Sequence, residues 1–124
     1  MSVPLVSVIM PNYNSEKFIS DAIKSVINQV NFCDLELIII DDNSNDRSVE
    51  IIKNHQNNDD RIILIKSASN TGPGLARNKG LSISRGKYIT FIDSDDIWHL
   101  DKLNVQIKLM EKLEIAITHT DYGY

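Results

Sequence analysis

LELIIIDDNSNDRSVEIIKNH, residues 35 to 55, reads as a strand, a turn and a helix in immediate succession. Its first six residues are apolar except Glu36 and rich in β-branched isoleucine, which favours a strand covered on both faces. Asp41-Asp42-Asn43-Ser44 follows, and residues of this kind form turns because their short polar side chains bond to nearby backbone. Val49 and Ile52 then recur at helical spacing, with Asn45 or Asp46 available to cap the helix.

Working outward, the same unit returns. VSVIM at 6 to 10, RIILIK at 61 to 66 and KYITFI at 87 to 92 are further short apolar runs, and IAITHT at 115 to 120 is a candidate fifth. SEKFISDAIKSVINQV places Phe18, Ala22, Val26 and Val30 beside Ile19, Ile23 and Ile27, the stripe of one buried helix face, with Asn14 or Ser15 as cap. GPGLARNKGLSIS sets Pro73 where a first-turn proline is tolerated, its missing N–H being unpaired there in any residue. A last helix, Trp98 to Leu113, carries Leu100, Leu103, Ile107 and Met110. Alternating strands and helices predict an α/β, Rossmann-like, mainly parallel sheet with helices on both faces, because parallel neighbours need a crossover. Residues 1–124 make one domain.

The bulk numbers narrow the function. Hydrophobic content of 42% and charged content of 24% suit a folded globular chain. Thirteen basic against seventeen acidic residues, a net charge of −4, disfavour nucleic acid as a partner. Cys33 is the only cysteine, and His55, His99 and His119 form no zinc pattern. The start, MSVPLVSVIMPNYN, lacks a basic leader and meets a proline early, so a cytoplasmic location is expected.

In sheets of this kind ligands bind beyond the carboxyl ends of the strands. Those ends carry Pro11-Asn12-Tyr13-Asn14, Asp41-Asp42-Asn43-Ser44 and Asp93-Ser94-Asp95-Asp96. Two charges about 4 Å apart repel by roughly 4 kcal/mol at the effective dielectric of a protein surface. A divalent cation, which prefers oxygen ligands, turns such repulsion into shared attraction, whereas a solvated acidic loop is the plain alternative.

VSVIMPNYN, LIIIDDNSND, GPGLARNKG and YITFIDSDD, in this order and across essentially the whole chain, resemble the N-terminal, nucleotide-sugar-binding half of a family 2 glycosyltransferase with the GT-A fold. The resemblance implies transfer of a sugar from a nucleotide-diphosphate donor to an acceptor hydroxyl with inversion. It implies that Asp93-Ser94-Asp95 is the family's D-x-D motif, with Asp95 and Asp93 holding Mn²⁺ or Mg²⁺ and Asp93 and Ser94 also at the nucleotide. Asp42 matches the carboxylate that accepts the N3–H of uracil, which favours a UDP-sugar, and Asp41 is expected to hold backbone amides at its turn. Pro11, Tyr13 and Asn14 match the floor beneath the base, with Glu16 close by. Arg77 matches an arginine near the nucleotide, where it offsets diphosphate charge or pairs with a rim carboxylate. Asp96 is an acidic extension of the motif or the cap of the last helix, and Gly80 permits close approach of a strand.

By the same resemblance the general base is expected beyond Tyr124, where the acceptor half would lie, with Asp121 a poor substitute. The acceptor is a saccharide or a lipid-linked saccharide, any peripheral membrane contact lies outside this chain, and polysaccharide assembly is the implied setting. Three rivals fit less well. In a dinucleotide-binding fingerprint the third glycine of Gly72-Pro73-Gly74 would stand where Arg77 does. A receiver module needs its acid pair after the first strand, where this chain has Pro11-Asn12-Tyr13. A non-enzymatic nucleotide-binding module stands open, since no general base is identified.

Overall fold

The computed structural model of the chain describes residues 3–113, so the candidate strand at 115 to 120, His119 and Asp121 lie outside the described residues. The elements run β1 (Val6–Asn12), α1 (Ile19–Ile27), β2 (Leu35–Asp41), α2 (Ser48–Asn58), β3 (Ile62–Lys66), α3 (Pro73–Ile83), β4 (Tyr88–Phe91) and α4 (Lys102–Leu113). The four strands pair in parallel in the order β3-β2-β1-β4.

This order explains where the helices lie. The connections through α1 and α2 step one way across the sheet, and the connection through α3 returns past β1 to β4. Since such crossovers are right-handed, reversing direction moves the helix to the other face. Accordingly Val6, Val8, Met10, Leu37 and Ile39 pack with Ile19, Ile23 and Val26 of α1, Ile52 of α2 and Leu103, Ile107 and Met110 of α4. The opposite face packs Ile38 and Ile40 on Ala76 of α3. There Gly80 meets β1 so closely that a Cβ would stand 2.5 Å from Ile9 Cγ2, as its small size foretold.

Element ends depart from the sequence reading for identifiable reasons. β1 extends through Pro11 and Asn12, which pair with Ile40 and Asp41. Ile9 O accepts from Ile92 N, so by alternation Pro11 faces the side where β4 gives way to the acidic loop, and its missing N–H breaks no ladder there. α1 begins four residues after Ser15, because the Ser15 carbonyl, rather than a side chain, accepts the Phe18 and Ile19 amides. Phe18 and Val30 are therefore exposed instead of joining the buried stripe. α4 begins at Lys102, not Trp98, and Leu100 is exposed. Its Leu103 amide is met by Gln29 Oε1 at 2.8 Å, a cap supplied from just beyond α1. Trp98 is buried in the core ahead of the helix, its amide donating to Ser25 Oγ at 3.1 Å.

Candidate functional site

The strand order reverses between β1 and β4, and their carboxyl ends diverge there. A cleft of about 230 Å³ opens at this point. Its lining combines Pro11, Asn12, Tyr13 and Ser15 from the end of β1 and the turn after it, Asp42 after β2, Pro73 and Ala76 of α3, and Asp93, Ser94 and Asp95 after β4.

At the end of β2, two adjacent carboxylates turn in different directions. Asp41 accepts from Asn12 Nδ2 at 2.8 Å, Ser44 Oγ at 2.7 Å and Ser44 N at 3.0 Å, which is the turn-holding role expected of it. Asp42 faces the cleft and accepts the Thr71 amide and hydroxyl, both at 2.8 Å, and the Gly72 amide at 2.7 Å. Burial pushes the Asp42 carboxyl upward, but the Thr71 and Gly72 amides, the Thr71 hydroxyl and the Lys79 charge outweigh it and hold the group below the ordinary carboxylate range. Asp42 therefore stays ionised and anchors the loop that starts α3, where Gly72 has φ +92°. A carboxylate offers about four lone-pair sites, so three acceptances leave room for about one donor from the cleft.

At the end of β4, Asp93, Asp95 and Asp96 each present an oxygen within 4.8 Å of the others. Asp95 and Asp96 are exposed. Three hard oxygen donors at this spacing fit Mn²⁺ or Mg²⁺. Asp42 is not part of this cluster, which comes from one loop. Of the two roles open to Arg77, the structure shows the pairing: its Nη2 lies 3.0 Å from Asp93 Oδ1. Ser94 is 7% exposed and its hydroxyl lies 2.8 Å from Ser15 Oγ.

Of the residues singled out from sequence, Pro11, Tyr13, Asp42, Asp93, Ser94 and Asp95 line the cleft, and Arg77 reaches it through Asp93. Asn14 and Glu16 do not line it. Asn14, at φ +48°, uses its amide on Ser44 Oγ and its Oδ1 on the Asn45 amide, clasping the β1 and β2 turns together. Glu16 is exposed on the adjoining turn, its amide bound to Asp46 Oδ2 at 3.1 Å. Asn12, Ser15, Asn70, Pro73 and Ala76 also line it and were not singled out as site residues. Asn12 is 1% exposed and, beyond its bond to Asp41, has an Oδ1 without a partner among the described residues. Ser15 read only as a helix cap, because its partner lies 79 residues away.

Comparison with known proteins agrees with this geometry. The model of glycosyl transferase family 2 matches residues 7–123. The chain belongs to that family. A relative from Haemophilus influenzae, an uncharacterized glycosyltransferase, is 44% identical over the whole chain, which covers 49% of that protein. An Escherichia coli relative, the UDP-Glc:alpha-D-GlcNAc-diphosphoundecaprenol beta-1,3-glucosyltransferase WfgD, is 41% identical over 95% of this chain and 46% of its own length. The chain thus spans about half the length of the curated relatives it matches. Among solved structures, S. aureus TarS 1-349 in complex with UDP-GlcNAc superposes with a TM-score of 0.80 at 31% identity, over 86% of this chain and 31% of that one.

Proposed function

We propose that this chain forms the donor-binding part of a glycosyltransferase that moves a sugar from a UDP-sugar to an acceptor hydroxyl, with inversion and with a divalent cation. The observation that carries the reading is one cleft at the switch point whose lining brings together Asp42 from the end of β2 and Asp93 and Asp95 from the loop after β4. A nucleoside diphosphate needs an acceptor for its base and compensation for its phosphates, and these two groups, which do not share one cluster, can supply them separately.

Asp42, ionised and with about one acceptor site left, takes the imide N–H of uracil. Tyr13 stacks on the base from its exposed position. Asp93, Asp95 and Asp96 would hold Mn²⁺ or Mg²⁺, which when bound stabilises the charge that the departing diphosphate acquires. Arg77, already beside Asp93, adds positive charge on the same side. The general base and the acceptor surface are assigned to the part of the relatives that this chain does not span, so the chain alone binds donor and transfers no sugar. The name of the Escherichia coli relative supports a lipid-linked saccharide as acceptor.

Titration calorimetry with UDP, GDP and CDP, each with Mn²⁺ or with chelator, tests the reading. UDP is expected to bind best and only weakly without the cation. Asp95→Asn should remove the gain from Mn²⁺, and Asp42→Asn should weaken UDP with or without it. UDP affinity unchanged in both variants would leave the cleft without this function.

A further inference from the structure

Ser15 lines the cleft in contact with both Tyr13 and Ser94. Its hydroxyl lies 3.3 Å from the Tyr13 carbonyl and 2.8 Å from Ser94 Oγ. A serine hydroxyl has one proton to give, and a carbonyl can only accept. If Ser15 gives its proton to Ser94, the Tyr13 carbonyl loses this donor. Both contacts are satisfied at once only when Ser94 donates to Ser15 and Ser15 donates to Tyr13.

The backbone of Ser15 is itself tightly held. Its amide donates to Ser48 Oγ at 3.0 Å, at the start of α2, and its carbonyl accepts the Phe18 and Ile19 amides at the start of α1. Ser94 is the buried centre of the acidic loop, with Asp93 and Asp95 as its immediate neighbours, so anchoring Ser94 places both carboxylates. The Arg77–Asp93 pair restrains the same loop through a different residue.

We infer that Ser15 is a positioning residue that couples the carboxylates of the cleft to Tyr13, through the relay Ser94 to Ser15 to Tyr13. This rests on the donor-site reading given above. Its consequence is that the cation and the nucleoside assist each other's binding, because each orders a loop that the relay joins to the other. The hydroxyl contact is part-buried, and loss of such a bond changes an equilibrium by about two- to tenfold.

The test is UDP affinity, with Mn²⁺ and with chelator, for the unsubstituted chain and for Ser15→Ala, Ser94→Ala, the double variant and Ser15→Thr. In Ser15→Ala the gain in UDP affinity conferred by Mn²⁺ should shrink by about three- to tenfold, while affinity in chelator stays within about twofold. Ser94→Ala should lose as much, and the double variant no more than either single, because all three break one relay. Ser15→Thr keeps the hydroxyl and should retain most of the gain. Equal losses with and without Mn²⁺, additive losses in the double variant, or a Thr variant as weak as the Ala variant would each overturn the coupling role. If Ser15→Ala keeps the full gain, this inference alone falls. If the unsubstituted chain gains no UDP affinity from Mn²⁺, the donor-site reading falls and takes the inference with it.

Discussion

Asn12 holds the base of the cleft by an arrangement that tolerates little change. Its Nδ2 sits 2.8 Å from Asp41 Oδ1 at a position 1% exposed. Asn12→Asp would set two carboxylates against each other there, and like charges at such range repel. A loss of about 3 kcal/mol at pH 7 is expected in urea unfolding. An unfolding midpoint equal to that of the unsubstituted chain would show that the Asn12–Asp41 bond does not hold this position. Asp42 acts in the opposite sense. Its carboxyl is lowered in the folded chain, so it contributes stability that is present above the unfolded value, about 4, and lost as pH falls through the folded one. Asp42→Asn should be less stable at pH 7 and should lose less on acidification below about pH 4. An acid limb as steep as in the unsubstituted chain would contradict this. That Asp42 faces the cleft was legible from its place at a strand end. That it also carries the Thr71 and Gly72 amides was not, because those partners lie 29 and 30 residues away.

Helix α3 separates two uses of glycine. Gly74 has nothing within 4 Å of an added Cβ, whereas at Gly80 that atom would meet Ile9 Cγ2 at 2.5 Å. Alanine gains about 1 kcal/mol of helix propensity over glycine at an open site. Gly74→Ala is therefore expected to stabilise by about 0.5–1 kcal/mol. At Gly80 the obstacle is a fully buried, β-branched residue on a central strand, which has no room to rotate away. Overpacking of this kind costs about 1–3 kcal/mol and outweighs the propensity gain. Urea melts of the two variants should move in opposite directions, and a shared direction would refute the packing argument. Helical periodicity located all four helices but misjudged where α1 and α4 begin. Period reports which face is buried, while the first turn depends on who satisfies its amides, and here those partners are the Ser15 carbonyl and Gln29.

At the scale of the molecule, the sheet order β3-β2-β1-β4 is what brings Pro11, Tyr13 and Asp93 to one cleft although some eighty residues separate them in the chain. The same architecture leaves Ile97, Leu100, Val105, Leu109 and Leu113 exposed around and along α4. Val105, Leu109 and Leu113 are four residues apart and share a helix face, so they form a strip of the kind that binds hydrophobic dyes. The double variant Val105→Lys with Leu109→Lys should lower anilinonaphthalene sulfonate fluorescence several-fold and leave UDP affinity unchanged. Fluorescence equal to that of the unsubstituted chain would place the exposed apolar surface elsewhere. By itself the order of residues determined the alternation of strands and helices, the parallel sheet and the carboxylates at strand ends, because periodicity and local polarity act over neighbouring positions. Only the tertiary structure decided that α3 is, among the described residues, the helix on one face, that Arg77 pairs with Asp93, and that Ser15 reaches Ser94. Each of those depends on which strands become neighbours, and neighbourhood across a sheet is set by crossovers and packing that no short stretch of sequence contains.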